Sequence, residues 1–229
     1  DFQKWTGVDG AGDESSTGTG NEVSATAITN ALGADVELRA ASSIKVAQDI
    51  TTTNTGTLTL TALAGGIDID NQIDIDGALN LNATTAITID AAIDLSGGSG
   101  AFTSTGTTFD SAAAGTLTTG TGDININNTG AITIAGDITT TTGAIDIDNG
   151  TSIDVDGNVQ SSGGAIDLTA SANVTIDDGT VSTTGAGTIN IVSAAADVLI
   201  GTIADTTVQT ENGDLTVDGD LVVTIGAAG

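Results

Sequence analysis

The residues best equipped for chemistry in this chain are aspartates set two apart: Asp68 and Asp70, Asp74 and Asp76, Asp146 and Asp148, Asp154 and Asp156. Asp177 and Asp178 stand side by side. Paired carboxylates can hold a hard cation through oxygen, or serve as acid and base in glycoside hydrolysis. Other chemistry is scarce, because the sequence has no His and no Cys. An imidazole base, a thiol nucleophile, zinc sites built on those side chains and any disulfide are therefore excluded. The 229 residues carry 30 acidic and 3 basic side chains, a net charge of −27. Nucleic acid is bound by displacing counterions with Lys and Arg, so that class of partner is excluded too. Anionic membrane surfaces are disfavoured by the same sign, and no apolar run reaches the length of a membrane span.

A repeat positions these aspartates. Many sit at the centre of apolar–polar–apolar triplets such as Ile67-Asp68-Ile69, Ile73-Asp74-Ile75, Ile145-Asp146-Ile147, Ile153-Asp154-Val155 and Ile166-Asp167-Leu168. Strict alternation with β-branched residues signals strands. From Ile124 the following strands begin at Ile132, Ile138, Ile145, Ile153, Val159 and Ile166, so the pattern closes every 21 residues. Glycine marks the same phase. Gly56, Gly77, Gly100, Gly122, Gly143, Gly164, Gly187 and Gly213 each stand two residues before a coil begins. A second set, Gly136, Gly157, Gly179 and Gly201, precedes Ile138, Val159, Val181 and Ile203.

Three short strands per period predict an all-β fold, a three-sided parallel β-helix (β-solenoid) of about nine to ten coils of roughly 21–23 residues. Coils begin at Val36, Leu58, Leu79, Phe102, Ile124, Ile145, Ile166 and Ile189, with a ninth from Leu215 and an earlier turn expected around Val23 and Ile28. Right-handed winding is expected from the preference of parallel crossovers. An antiparallel sandwich also alternates, but it has no reason to close at a fixed period with phased glycine. Only 2% of residues are aromatic and none is Pro, which fits a thin Ile/Val/Leu core between strands that all donate their N–H groups.

Two regions stand apart: residues 1–22, an amino-terminal arm with a Gly/Ser/Thr-rich acidic linker, and residues 23–229, the β-helix domain. The arm holds Phe2, Trp5 and Val8 ahead of the linker Asp9–Gly20. It reads as a cap on the first coil, as an arm that docks on a neighbouring molecule, or as a disordered segment. At the other end Leu221-Val222-Val223-Thr224-Ile225 is a strand with no cap after it. Either the chain is cut from a longer protein or the open end is a docking surface; if the chain is complete, Phe2, Trp5, Val8, Leu221, Val223 and Ile225 are the expected subunit contacts of a head-to-tail assembly. The start at Asp1 suggests a processed chain or an excised segment.

In a strand, residues two apart share a face, so the Ile residues point inward and the Asp residues outward. Asp146 and Asp167 are then expected to stack on adjacent coils about 4.8 Å apart, where like charges repel. A Ca²⁺ ion would relieve that repulsion, which makes Asp68, Asp70, Asp146, Asp148 and Asp167 the candidate cation ligands. The competing reading is a solvated acidic face that keeps the molecule soluble. Neither the Gly-rich nonapeptide calcium repeat nor the twelve-residue calcium loop is present. Outward Thr59, Thr88, Thr133 and Thr175 suggest an ice-binding ladder, but Asp and Lys interrupt it and no face is expected to run free of charge. Connections between strands are too short to build a sugar-cleaving cleft, so no catalytic residue and no cofactor is expected. Asn82, Asn127, Asn149 and Asn173 open Asn-x-Thr patterns, at a frequency that a Thr-rich composition explains.

The stretch Ala31-Leu32-Gly33-Ala34-Asp35-Val36-Glu37-Leu38, continued by Ile44-Lys45-Val46 and Asp49-Ile50, resembles the repeats of filamentous haemagglutinin-type exoproteins. Gly143-Ala144-Ile145-Asp146-Ile147 and Gly164-Ala165-Ile166-Asp167-Leu168 are similar. That resemblance covers residues 23–229 and implies a right-handed β-helix in the shaft of a large secreted adhesin. The family's amino-terminal secretion domain carries Asn-Pro motifs, which this Pro-free chain lacks. The expected function is non-enzymatic: an extracellular structural segment of a cell-surface fibre, self-associating or presenting itself to a host glycan or protein. The alternative is a soluble solenoid that binds polysaccharide or ice on one face.

Overall fold

Alternation of Ile with Asp, Asn or Thr leaves each strand one buried and one wet face, and coils can satisfy both only by stacking. The computed structural model describes residues 3–6, 23–201, 206–220 and 223–225, with residues 3–6 and 223–225 described as backbone. Its strands form three parallel sheets of ten, nine and eight strands, in which each strand bonds to its counterpart one coil before and one coil after. Eight complete three-strand coils begin at Val36, Leu58, Leu79, Phe102, Ile124, Ile145, Ile166 and Ile189. Two strands of a ninth follow, Leu215–Gly219 and Val223–Ile225. The three-sided parallel β-helix expected from the period is therefore the fold.

Register is one-to-one apart from a bulge in the sixth coil, where Ile147 pairs with Leu168 but Gly150 with Ala170. Ile124 pairs with Ile145, Ile145 with Ile166 and Ile166 with Ile189, making a continuous buried column in the first sheet. Each such isoleucine contributes roughly 2 kcal/mol by leaving water. The fourth coil breaks the monotony. Phe102 and Phe109 meet edge to face, with centroids 6.4 Å apart and planes at 75°. Room for them comes from small neighbours: Ser104 takes the position of Leu81 and Ile126, and Ser111 that of Ile89 and Ile134. Volume is conserved within the coil, which a close-packed interior requires. The buried hydroxyl of Ser104 donates to Asn128 Oδ1 (2.8 Å), and Asn128 Nδ2 donates to the Thr108 carbonyl (3.0 Å).

The turn expected around Val23 and Ile28 is not β. Residues Ala25–Ala31 form a helix, N-capped by Ser24, whose side chain accepts from the Ala27 N–H. Alanines favour the helix, and its hydrogen bonds are internal, so it needs no neighbouring strand on either side. Ile28 and Leu32, one helical turn apart, bury themselves against the first coil. The arm also contributes a strand: Gln3–Thr6 pairs in parallel with Val36–Ala40 of the same chain, Trp5 opposite Leu38.

Corners set the coil spacing. A Cβ on Gly143 would lie 2.1 Å from the Gly122 carbonyl oxygen, and one on Gly164 only 1.9 Å from that of Gly143. Close approach of one coil's backbone to the next is thus what excludes side chains here; the first-corner glycines do not need positive φ, whereas Gly179 at the second corner has φ +78°. Just ahead of the first-corner glycines lies a column of inward hydroxyls. Thr119 donates to the Gly122 carbonyl (2.7 Å), Ser161 accepts from the Gly164 N–H (2.8 Å), Thr183 donates to Gly187 (2.7 Å) and Thr210 to Gly213 (2.7 Å). These bonds satisfy backbone groups that the bend takes out of the sheets.

Two alanine substitutions should separate these effects. Gly143→Ala forces overpacking against the preceding coil and should cost about 1–3 kcal/mol. Gly163→Ala, whose new methyl meets nothing nearer than 3.6 Å, should be neutral or slightly stabilising. Thermal melts of both variants check the contrast.

Candidate functional site

Outward side chains form columns because the register is one-to-one. On the second sheet the column reads Lys45, Asp68, Thr88, Asp110, Thr133, Asp154, Thr175, Leu199. From Asp68 to Thr175 carboxylate and hydroxyl alternate, so charges in this column stand two coils, about 10 Å, apart. Asp110 was hidden from the triplet pattern because its strand reads Thr108-Phe109-Asp110-Ser111, with Ser rather than an apolar residue on its far side.

Where alternation fails, carboxylates crowd. On the first sheet Asp146 and Asp167 are direct register partners, as expected, with Asp148 two residues along from Asp146. Asp167 accepts from Thr169 Oγ1 (2.7 Å) and from Asn190 Nδ2 (3.2 Å). Burial, followed by the charges of Asp148 and Asp167, pushes the Asp146 carboxyl above its usual range. Burial and then Asp167 do the same to Asp148. On the third sheet Asp74 pairs with Asp94 and is raised by burial, then by Asp94 and Asp76. Asp154 is raised by burial first, then by Asp156 and Asp177, and its Oδ1 is buried without a hydrogen-bond partner.

The other candidate cation ligands, Asp68 and Asp70, lie several coils away in the second coil. Together with Asp90 of the next coil they bring carboxylate oxygens within 4.8 Å of one another. Lys45 of the first coil sits among them, 3.2 Å from Asp68 Oδ2 and in an ion pair with Asp70. That contact holds the Asp70 carboxyl below its usual range, mainly by hydrogen bonding to Lys45. An ammonium thus already supplies the positive charge here, through a pair that crosses 23 and 25 residues of sequence and that triplet spacing alone does not reveal. The five proposed cation ligands therefore divide into one group paired with Lys45 and one, Asp146, Asp148 and Asp167, whose columns carry a basic residue only at the amino-terminal end, Lys4 and Arg39, several coils away.

The third sheet departs from the sequence expectation. Beyond Asp94 its outward column is Thr118, Thr139, Gln160, Ser182 and Gln209, five coils without a charge. Thr118 and Thr139 hydrogen-bond to each other (3.1 Å), and Gln160 donates to Ser182 (3.3 Å). Of the expected subunit contacts, Phe2, Val8 and Leu221 lie outside the described residues; Trp5, Val223 and Ile225 are placed by backbone alone. Comparison with known proteins finds no matching family model, no matching curated protein and no matching solved structure.

Stacked carboxylates make the stability of this fold depend on pH with an unusual sign. Asp74, Asp146, Asp148 and Asp154 hold protons more tightly folded than unfolded, so their contribution improves as pH falls through the folded values and is lost above them. Asp70 acts oppositely but is exposed and screened. At constant ionic strength the melting temperature should fall as pH is raised from about 4, the ordinary Asp range, to neutral. Asp146→Asn should raise the melting temperature at the higher pH and narrow the difference, read by circular dichroism.

Proposed function

We propose that this chain is a non-enzymatic shaft segment of an extracellular surface fibre or adhesin, of the kind its resemblance to filamentous haemagglutinin-type repeats implies. The observation that carries this reading is the ladder of parallel strands through eight coils, with register broken by a single bulge among the described residues, closed by short corners and enclosing a solid apolar core. Such an object resists bending and stretching, because both act against every axial hydrogen bond and every column contact together. Acidic columns on its sides oppose lateral clumping by like-charge repulsion. Along the axis, further coils extend the same ladder at the same rise, whether they come from one chain or from copies joined head to tail. Binding to a host or cell-surface glycan or protein then belongs to the fibre as a whole, with this segment setting reach.

One observation favours a second reading, a face that binds neutral polysaccharide: the uncharged column from Thr118 to Gln209 on the third sheet. A single design separates the two. Cells displaying the fibre are compared with cells in which residues 145–165, one whole coil, are removed so that Ile166 stacks on Ile124. A second comparison carries Thr139→Lys and Gln160→Lys. For a shaft, the deletion shortens the fibre by about 4.8 Å per copy, and both variants still adhere. Adhesion abolished by the lysines with the fibre intact overturns the shaft reading in favour of the binding face.

A further inference from the structure

The corner that leads from the second sheet to the third carries the same dipeptide in two successive coils, Asp156-Gly157 in the sixth and Asp178-Gly179 in the seventh. The two corners differ by one residue. Three residues, 156–158, separate Val155 from Val159, whereas four, 177–180, separate Ile176 from Val181. In the shorter corner the main-chain N–H groups of Asp156 and Gly157 both donate to the Ile134 carbonyl of the coil before (2.8 and 3.0 Å). In the longer corner Asp177 makes the equivalent bond, to the Val155 carbonyl (3.1 Å). The Gly179 N–H donates instead to Oδ1 of Asp178, the residue just ahead of it (2.8 Å). Asp156 and Asp178 are both exposed, so access of water does not distinguish them. The direction of the glycine N–H does.

A side-chain carboxyl folded onto the next residue's nitrogen is placed for an intramolecular reaction, because its carbon lies one bond beyond the contacting oxygen. Position 179 also excludes any shielding side chain: its φ is +78°, and a Cβ there would lie 2.5 Å from the Gly157 carbonyl oxygen. We infer that Asp178-Gly179 is a site of self-modification, where aspartate rearranges to isoaspartate without an enzyme. The Gly179 nitrogen gives its proton to solvent and bonds to the Asp178 side-chain carbon, Cγ. The protonated carboxyl loses its oxygen as water, leaving a five-membered succinimide. Water then adds to the main-chain carbonyl carbon of Asp178 and breaks its bond to the Gly179 nitrogen. One water leaves and one enters, so the mass is unchanged. The main chain now runs through Cγ and Cβ and is one methylene longer at the corner. The Gly179 carbonyl accepts from the Thr207 N–H of the next coil (3.2 Å), so the longer corner loosens the attachment of the strand Thr207–Thr210.

The test follows isoaspartate at both sites in the full chain, aged folded and aged in denaturant, by peptide mapping with electron-transfer fragmentation. Folding should slow the reaction at position 156 several-fold more than at position 178, each measured against its own rate in denaturant. The product at 178 should form faster in mild acid than at neutral pH, because the departing oxygen must carry a proton. Asp178→Glu keeps the charge but requires a six-membered ring, so it should abolish the product while the fresh variant melts like the fresh parent. After ageing, the parent chain should melt lower than Asp178→Glu. Equal protection of the two sites by folding, or complete protection of position 178, overturns the inference. A chain bearing isoaspartate at 178 that melts with the fresh protein refutes the loosened corner.

Discussion

Every feature of this molecule follows from main-chain hydrogen bonding along the axis, coil to coil, at about 4.8 Å. That distance leaves no room for a side chain where successive corners nest, hence the glycine column from Gly56 to Gly213, each built against the carbonyl of the coil before. It also puts like residue over like residue. Inside, this is an advantage, because identical apolar side chains stack with little wasted volume. Outside it is a liability, because a favourable polar residue repeated in every coil becomes a column of like charges.

The exterior shows three ways of managing that liability. On the second sheet Thr separates Asp68, Asp110 and Asp154. At its amino-terminal end Lys45 pairs with Asp68 and Asp70. Where neither device operates, burial and then the charge of a neighbouring carboxylate push the Asp74 carboxyl (beside Asp94) and the Asp146 carboxyl (beside Asp148 and Asp167) above the usual range. A net charge of −27 is thus distributed with local tolerance for protonation, and the third sheet carries none of it over five coils. Like-charge repulsion opposes sidewise contact between molecules along the acidic columns and is weakest along that strip.

Much of this was legible in the sequence because periodicity, unlike propensity, accumulates over coils. Ile145-Asp146-Ile147 alone says strand; its recurrence at Ile166-Asp167-Leu168 with Gly143 and Gly164 in phase says solenoid. The pairing of Asp146 with Asp167 follows from the same arithmetic. What escaped lies where the period bends. The segment Ala25–Ala31 carries apolar residues that fit a strand or a helix, and its helical choice depends on internal hydrogen bonding at the end of the ladder. Asp110 and the serines that make room for Phe102 and Phe109 sit in the coil with the least typical triplets. The corner hydroxyls had a readable signal, a Ser or Thr three residues before Gly122, Gly143 and Gly164, masked by the abundance of Thr. Contacts such as Lys45 with Asp70 depend on side-chain reach across coils, which spacing does not encode.

The central claim, that identical positions stack around a dry core and present their polar partners to water, is tested most directly at two adjacent residues. Ile145 is 1% exposed, and Asp146 is half-buried on the outer face. Thermal melts of Ile145→Asp and Asp146→Asn, recorded side by side at neutral pH, measure the difference. Burying an unpaired carboxylate in the isoleucine column should cost upward of about 4 kcal/mol or unfold the chain, while removing a repelled outward charge should leave stability unchanged or improve it. Equal stability of the two variants would contradict the assignment of inside and outside on which the whole architecture rests.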